Sequence, residues 1–198
     1  MVDYLTHYYR RGTEPFRSLS DLPDAEALAL MAGLYVEGSV IWERFGDPGG
    51  YLRARRLTER WLYAQFVAKG GRPRLRYPIY MVLGSPKWIA RMADPGTLAT
   101  TAEVRVPLSA LTDDDVSFTY PDSMVTLLMA EERDARYYQP DYHGKLFTLT
   151  EIREIVRRKG LPDEGWETNV PDTLAHYIEA QVWNREPLLP YLPRTNPR

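Results

Sequence analysis

Cysteine is absent from this chain of 198 residues, which excludes disulfides and thiolate-bound metal sites. No run approaches the roughly eighteen apolar residues a bilayer-spanning helix needs, and Met1 to Arg11 is polar and aromatic, without a signal-peptide core. The expectation is a soluble, cytoplasmic protein with no membrane partner. Histidine is scarce: His7, His143 and His176 stand far apart without metal-ligand spacing, so no metal is expected. Glycine-rich phosphate loops are missing too, because Gly46 to Gly50 (GDPGG) has neither the Rossmann spacing nor the lysine of a Walker loop. No GxSxG elbow occurs, and Pro140, Asp141 and Lys145 are only a faint echo of a metal-dependent nuclease.

Five Trp, fourteen Tyr and 44% hydrophobic residues mark a sequence that folds, and the length suits one domain over residues 1–198. Sixteen prolines include Pro187, Pro190, Pro193 and Pro197, which predict an extended tail from about residue 187 along the surface. Charge is the most uneven property. Between Arg53 and Arg91 lie ten Lys or Arg and one acid, Glu59, so this segment holds +9 against −11 for the rest of a chain of net charge −2. Most of those bases are Arg, whose fork grips phosphate oxygens in pairs. Either a phosphate-bearing partner binds there, or a solvated helix face and loop pair with the protein's own acids.

Polar and proline residues at Ser20 to Asp24 start a first helix, with Leu28, Met31, Leu34 and Tyr35 at helical spacing. Tyr51 to Ala68 reads as an amphipathic helix with Leu57, Trp61 and Ala64 on one stripe and Arg53, Arg56 and Arg60 on another. Lys69 to Arg76 is a basic loop, and Tyr77 to Gly84 a buried strand. Ala102 to Leu108 and Val116 to Tyr120 are further strands. Thr148 and Glu151 form a capping box before a helix that Gly160 ends. His176 to Trp183 alternates as a last strand, with Ile178, Ala180 and Val182 on one face and Tyr177, Glu179, Gln181 and Trp183 on the other. The fold class expected is α+β, with helices mainly in the first half and a short-stranded split sheet in the second.

Leu5 to Tyr9 (LTHYY), the pair Arg55 and Arg56, Tyr77 to Met81 (YPIYM), Ser85 with Pro86, Phe118 to Met124 (FTYPDSM) and Ile178 to Val182 (IEAQV) follow one another in an order that resembles the DarT family. These are NAD-dependent ADP-ribosyltransferase toxins that modify bases in DNA. The chain departs from the family where Tyr9 replaces a Thr and where Phe118 to Met124 lacks a nearby His, for which Asp122 or Ser123 stands in. The resemblance implies an ADP-ribosyltransferase-like fold, NAD as substrate and an antitoxin protein as partner. It places Glu179 and Arg56 as catalytic residues and His7, Tyr9, Tyr80 and Arg55 at the cofactor.

Breaking the nicotinamide–ribose bond builds positive charge on the sugar, which an ionised Glu179 would stabilise. Lys69, Arg72, Arg74 and Arg76 would then track a single strand's phosphates, with binding that weakens steeply with salt. Two other readings remain open at this point: a non-catalytic interaction protein with a basic docking face, and a single-stranded nucleic-acid binder without chemistry.

Overall fold

A computed structural model describes residues 2–93, 95–134, 136–162 and 174–193. Its centre is a six-stranded sheet of β1 (Tyr4–Arg10), β2 (Ile79–Leu83), β3 (Thr101–Pro107), β4 (Val116–Thr119), β5 (Phe147–Thr148) and β6 (Glu179–Val182). The strand order is β3-β1-β2-β6-β4-β5, and every neighbouring pair is antiparallel. The α+β mixture is therefore present, but the strands are not confined to the second half. β1 and β2 come from the first half and lie inside the sheet, covered on both faces.

Register assigns the faces, because directly opposed residues of an antiparallel pair point the same way and neighbours along a strand point opposite ways. One face is apolar. Leu5, Met81, Leu83, Phe118, Ala180 and Val182 pack there against Leu149, Ile152, Ile155 and Val156 of α6 (Leu149–Lys159). The capping box of Thr148 and Glu151 starts α6 and Gly160 follows it, as their sequence positions predict.

The other face is polar. Rows Thr6–Val82–Glu179–Thr119 and Tyr80–Gln181–Ser117 run across it from strand to strand. It is covered by α2 (Pro48–Ala68) and α5 (Ser123–Glu132). Asp47 caps α2 by accepting from Gly50 N–H, and Pro48 occupies its first turn. The row α2 turns inward is Leu52, Arg55, Glu59, Leu62 and Phe66, while Leu57 is 58% exposed. Of the stripe expected from Leu57, Trp61 and Ala64, Trp61 packs against the cluster of Leu62, Phe66, Leu146 and Trp183, while Leu57 and Ala64 face solvent and the charged pair takes their place in the buried row.

α1 (Asp24–Leu34) rests on α2 through Ala27 and Met31, in a cluster with Leu22, Phe45 and Leu52. Leu28 and Tyr35, expected on its buried stripe, are exposed. Between β2 and β3 lie two short helices, α3 (Lys87–Met92) and α4 (Pro95–Thr100). In place of an extended tail from residue 187, Glu186–Tyr191 forms a 3₁₀ turn that buries Leu188 completely, while Pro197 lies outside the described residues. No described helix is long and apolar enough to cross a membrane.

Candidate functional site

Glu179 opens β6 on the polar face, where its position is fixed by a run of side-chain hydrogen bonds. Trp183 Nε1–H donates to Ser117 Oγ at 2.9 Å, and Ser117 donates to Gln181 Oε1 at 3.0 Å. Gln181 Nε2 donates to Thr119 Oγ1 at 3.0 Å and to Glu179 Oε1 at 2.9 Å. The same Glu179 oxygen accepts from Ser123 N–H at 3.1 Å. Asp122 caps α5 one residue earlier by accepting from Met124 and Val125 N–H. A cap, a strand and a buried amide thus converge on one carboxylate. Burial foremost, and then the charge of Asp122, push the Glu179 carboxyl up to about 7, against the hydrogen bonds from Gln181 and Ser123.

Beside it stands Tyr80, whose hydroxyl donates to Glu59 Oε1 at 3.2 Å. Arg55 donates from Nε to the same oxygen at 3.1 Å and to Ser20 Oγ at 3.1 Å, and its guanidinium lies 4.2 Å from the centre of the Tyr80 ring. Burial foremost, and then the carboxylates Glu59 and Glu179, raise the Tyr80 phenol well above its ordinary value despite Arg55. Glu59 is buried, and burial raises its carboxyl although Arg55, Ser20 and Tyr80 oppose the shift. Its Oε2 is buried without a hydrogen-bond partner among the described residues. Tyr177, also on the Glu179 side, is raised by burial and by Asp122 and Glu179.

The sequence-derived candidates therefore divide. Glu179, Tyr80 and Arg55 come together, and Asp122 and Ser123 stand next to Glu179. His7 and Tyr9 do not join them. They lie on the opposite face, stacked on each other with ring centroids 6.0 Å apart. His7 is also fully engaged: its Nδ1–H donates to Tyr80 O at 2.9 Å, while Nε2 accepts from Phe16 N–H at 2.9 Å. That tautomer follows from the two partners. Burial lowers its pKa, in keeping with a neutral ring. β1 and β2 pair only through Leu5–Leu83 and Thr6–Val82, so His7 ties the strands together where their ladder ends. His7→Ala should cost roughly 2 kcal/mol or more of stability, read from chemical denaturation, by leaving two buried backbone groups unpaired.

The basic residues form a second feature. At the end of α2, Gly70 takes φ +91° and Gly71 abuts Phe66, whose ring would lie 2.4 Å from a Cβ at that position. The chain turns back along α2 and is pinned where Arg74 and Leu75 N–H both donate to Trp183 O. Between helix and returning loop opens a groove of about 550 Å³, lined by Arg56, Arg60, Arg74 and Arg76, by Tyr63 and Tyr77, and by Glu59. Arg56 thus belongs to the groove with Arg74 and Arg76, whereas Arg55 is the arginine of the Glu179 side. Several bases are partly neutralised by the protein's own acids: Arg56 by Asp24 at 2.8 Å, Lys69 by Glu151 at 2.6 Å, Arg72 by Asp114 at 3.5 Å and Arg74 by Glu186 at 2.6 Å. Arg60 and Arg76 form no ion pair among the described residues. Groups of three or more potential metal ligands are absent among the described residues.

In the sequence Glu59 stands out only as the lone acid of the basic segment. The signal that could have placed it is its spacing, four residues after Arg55 in the row that Leu52, Leu62 and Phe66 make apolar. Compared with known proteins, the chain matches no family model, no curated protein and no solved structure.

Proposed function

We propose that this chain is an NAD-dependent ADP-ribosyltransferase that modifies a base of single-stranded nucleic acid, with DNA the favoured polymer. The observation that carries the reading is the setting of Glu179: a carboxylate in an inner strand, held by Gln181 Nε2 and Ser123 N–H and flanked by tyrosines. In support, the three segments that resemble the DarT family's His, aromatic and Glu strands lie side by side as β1, β2 and β6. On this reading the ionised Glu179 stabilises positive charge on the ribose as nicotinamide leaves, and accepts from a ribose hydroxyl. Arg55 fixes the Tyr80 ring and occupies one of its faces, so nicotinamide has only the other face to stack on. Arg56, Arg74 and Arg76 receive phosphates of the strand, together with Lys69 and Arg72 on the same loop. His7 and Tyr9 serve the fold and leave the nucleotide to other residues.

The test is transfer of label from radiolabelled NAD to single-stranded DNA and to RNA, by the wild type and by Glu179→Gln. Transfer that falls by about a thousandfold in the variant supports the reading, since the electrostatic contribution of the carboxylate is then removed while its hydrogen-bond partners remain. Absence of transfer to either polymer by the wild type overturns it. A strand that binds without transfer would favour the second reading, a nucleic-acid binder without chemistry, to which the arginine groove alone points.

A further inference from the structure

The groove beside α2 contains an oddity that binding to phosphate alone does not explain. Four arginines suit an anion, yet the wall also holds Glu59, one of whose oxygens accepts from both Arg55 and Tyr80 while the other, Oε2, is buried and has no donor among the described residues. An unpartnered buried carboxylate oxygen is expensive, and in the wall of a cavity it indicates a donor supplied from outside. The occupant should therefore combine negative charge for the arginines, a flat ring for Tyr63 and Tyr77, and N–H donors on the ring edge. A groove of about 550 Å³ is large enough for one nucleotide.

Among the bases, guanine alone presents two adjacent donors, N1–H and the N2 amino group, on its Watson–Crick edge. Adenine and cytosine set a lone-pair nitrogen next to their amino group, and uracil and thymine flank N3–H with two carbonyls. Each of those would bring an acceptor up to a carboxylate that can only accept. We propose that this groove is a guanine-nucleotide site: the base lies between Tyr63 and Tyr77, N1–H and N2–H donate to Glu59 Oε2, and the phosphates rest on Arg60 and Arg76.

Glu59 Oε2 lies under the groove surface, so a side chain of the wall gives way when the base enters. Arg56 is suited to that movement. Its charge is felt at Glu59, and its pair with the exposed Asp24 is of the kind worth under about 1 kcal/mol, so a phosphate competes for it easily. Arg60 and Arg76 form no ion pair among the described residues and can turn to phosphate, and the Arg76 guanidinium, 5.1 Å from the centre of the Tyr77 ring, leaves the base the other face of that ring. The assignment does not depend on transfer chemistry at Glu179, which lies outside the groove lining.

Calorimetric titration at low salt with GTP, ATP, CTP and UTP tests it, alongside a short oligothymidylate with and without one internal guanine. GTP should bind at least about tenfold more tightly than the other three, as expected of a paired hydrogen-bond readout. Glu59→Gln should erase that preference. Because this substitution lies in a buried cluster, Arg60→Glu on the exposed helix surface provides a second measurement and should weaken all four nucleotides together. A guanine effect seen with the oligonucleotide but not with GTP assigns the site to a strand, and the reverse assigns it to a free nucleotide. Equal affinities for the four nucleotides together with no effect of the guanine in the oligonucleotide, or binding that Arg60→Glu leaves unchanged, overturns the proposal. Glu179→Gln retains guanine binding while losing transfer, so this site and the proposed activity fail separately.

Discussion

Glu179→Gln should stabilise the protein at pH 8 by up to about 3 kcal/mol while removing its proposed activity. The carboxyl has an ordinary value of 4.5 and is raised to about 7 in the fold. That gap corresponds to roughly 3 kcal/mol between the two protonation states. The folded state holds the proton more tightly than the unfolded one. Between pH 4.5 and about 7 the unfolded chain therefore binds fewer protons at this position, and stability falls as pH rises through that window. Above it the native protein carries a buried charge close to Asp122. Gln removes the charge, can still accept from Gln181 and Ser123, and presents an amide donor beside Asp122. The gain should fade as pH falls below 4.5, where Glu179 becomes protonated in both states. Denaturant titrations of wild type and variant at pH 5 and pH 8 check this. A variant no more stable than wild type at pH 8 would mean that burial does not strain this carboxylate.

The same ionisation gives the proposed activity a pH dependence. Stabilising a cationic ribose requires the carboxylate, so kcat/KM for label transfer should rise with pH through an apparent value of about 7. A stability cost greatest under the conditions where the proposed chemistry would run is what the trade between function and stability leads one to expect of a group in that role.

How much of this could be read from the sequence depended on whether one face of each element was left to water. α6 was legible because Thr148 and Glu151 announce its start and its apolar residues repeat regularly. The two faces of β6 were legible from strict alternation between Glu179 and Trp183. β1 was not, because Leu5, Thr6 and His7 are all buried and Tyr8 and Tyr9 are partly so, leaving no period to detect. α5 was missed for a similar reason: Met124, Val125, Leu127, Leu128 and Met129 surround the helix with apolar residues, and its start lies in a capping Asp122 read instead as part of a strand-side motif.

The site divided along the same line. Glu179 and Tyr80 stood out through their strands, but the face of His7 depends on register, which the sequence does not specify. Arg55 and Glu59 were hidden because charges on a helix are ordinarily assigned to solvent. Here Arg55 pairs with Glu59 Oε1 and Ser20, and Tyr80 donates to the same Glu59 oxygen, inside the core.

That cluster is where a single truncation should do the greatest damage to the fold. Arg55→Ala leaves Glu59, 1% exposed, without its cation, and leaves Tyr80 and Ser20 without the guanidinium they share. Breaking a buried ion pair from one side costs about 3–5 kcal/mol, since the remaining charge must be neutralised or hydrated. Glu59 would respond by taking up a proton, which makes the loss dependent on pH. Burial already raises its carboxyl, and without Arg55 the shift grows, so the variant should lose least below pH 4.5, where Glu59 is protonated folded or unfolded, and most above neutrality. The double variant Arg55→Met with Glu59→Met separates a missing partner from a missing interaction. Replacing both members with apolar side chains removes the desolvation cost along with the attraction, so it should recover most of the stability lost by Arg55→Ala. Urea titrations of the three proteins at pH 5 and pH 8 give the comparison. Were the double variant as unstable as the single one, the guanidinium's contact with the Tyr80 ring and its bond to Ser20, rather than its pairing with Glu59, would be what α2 contributes at this point of the sheet.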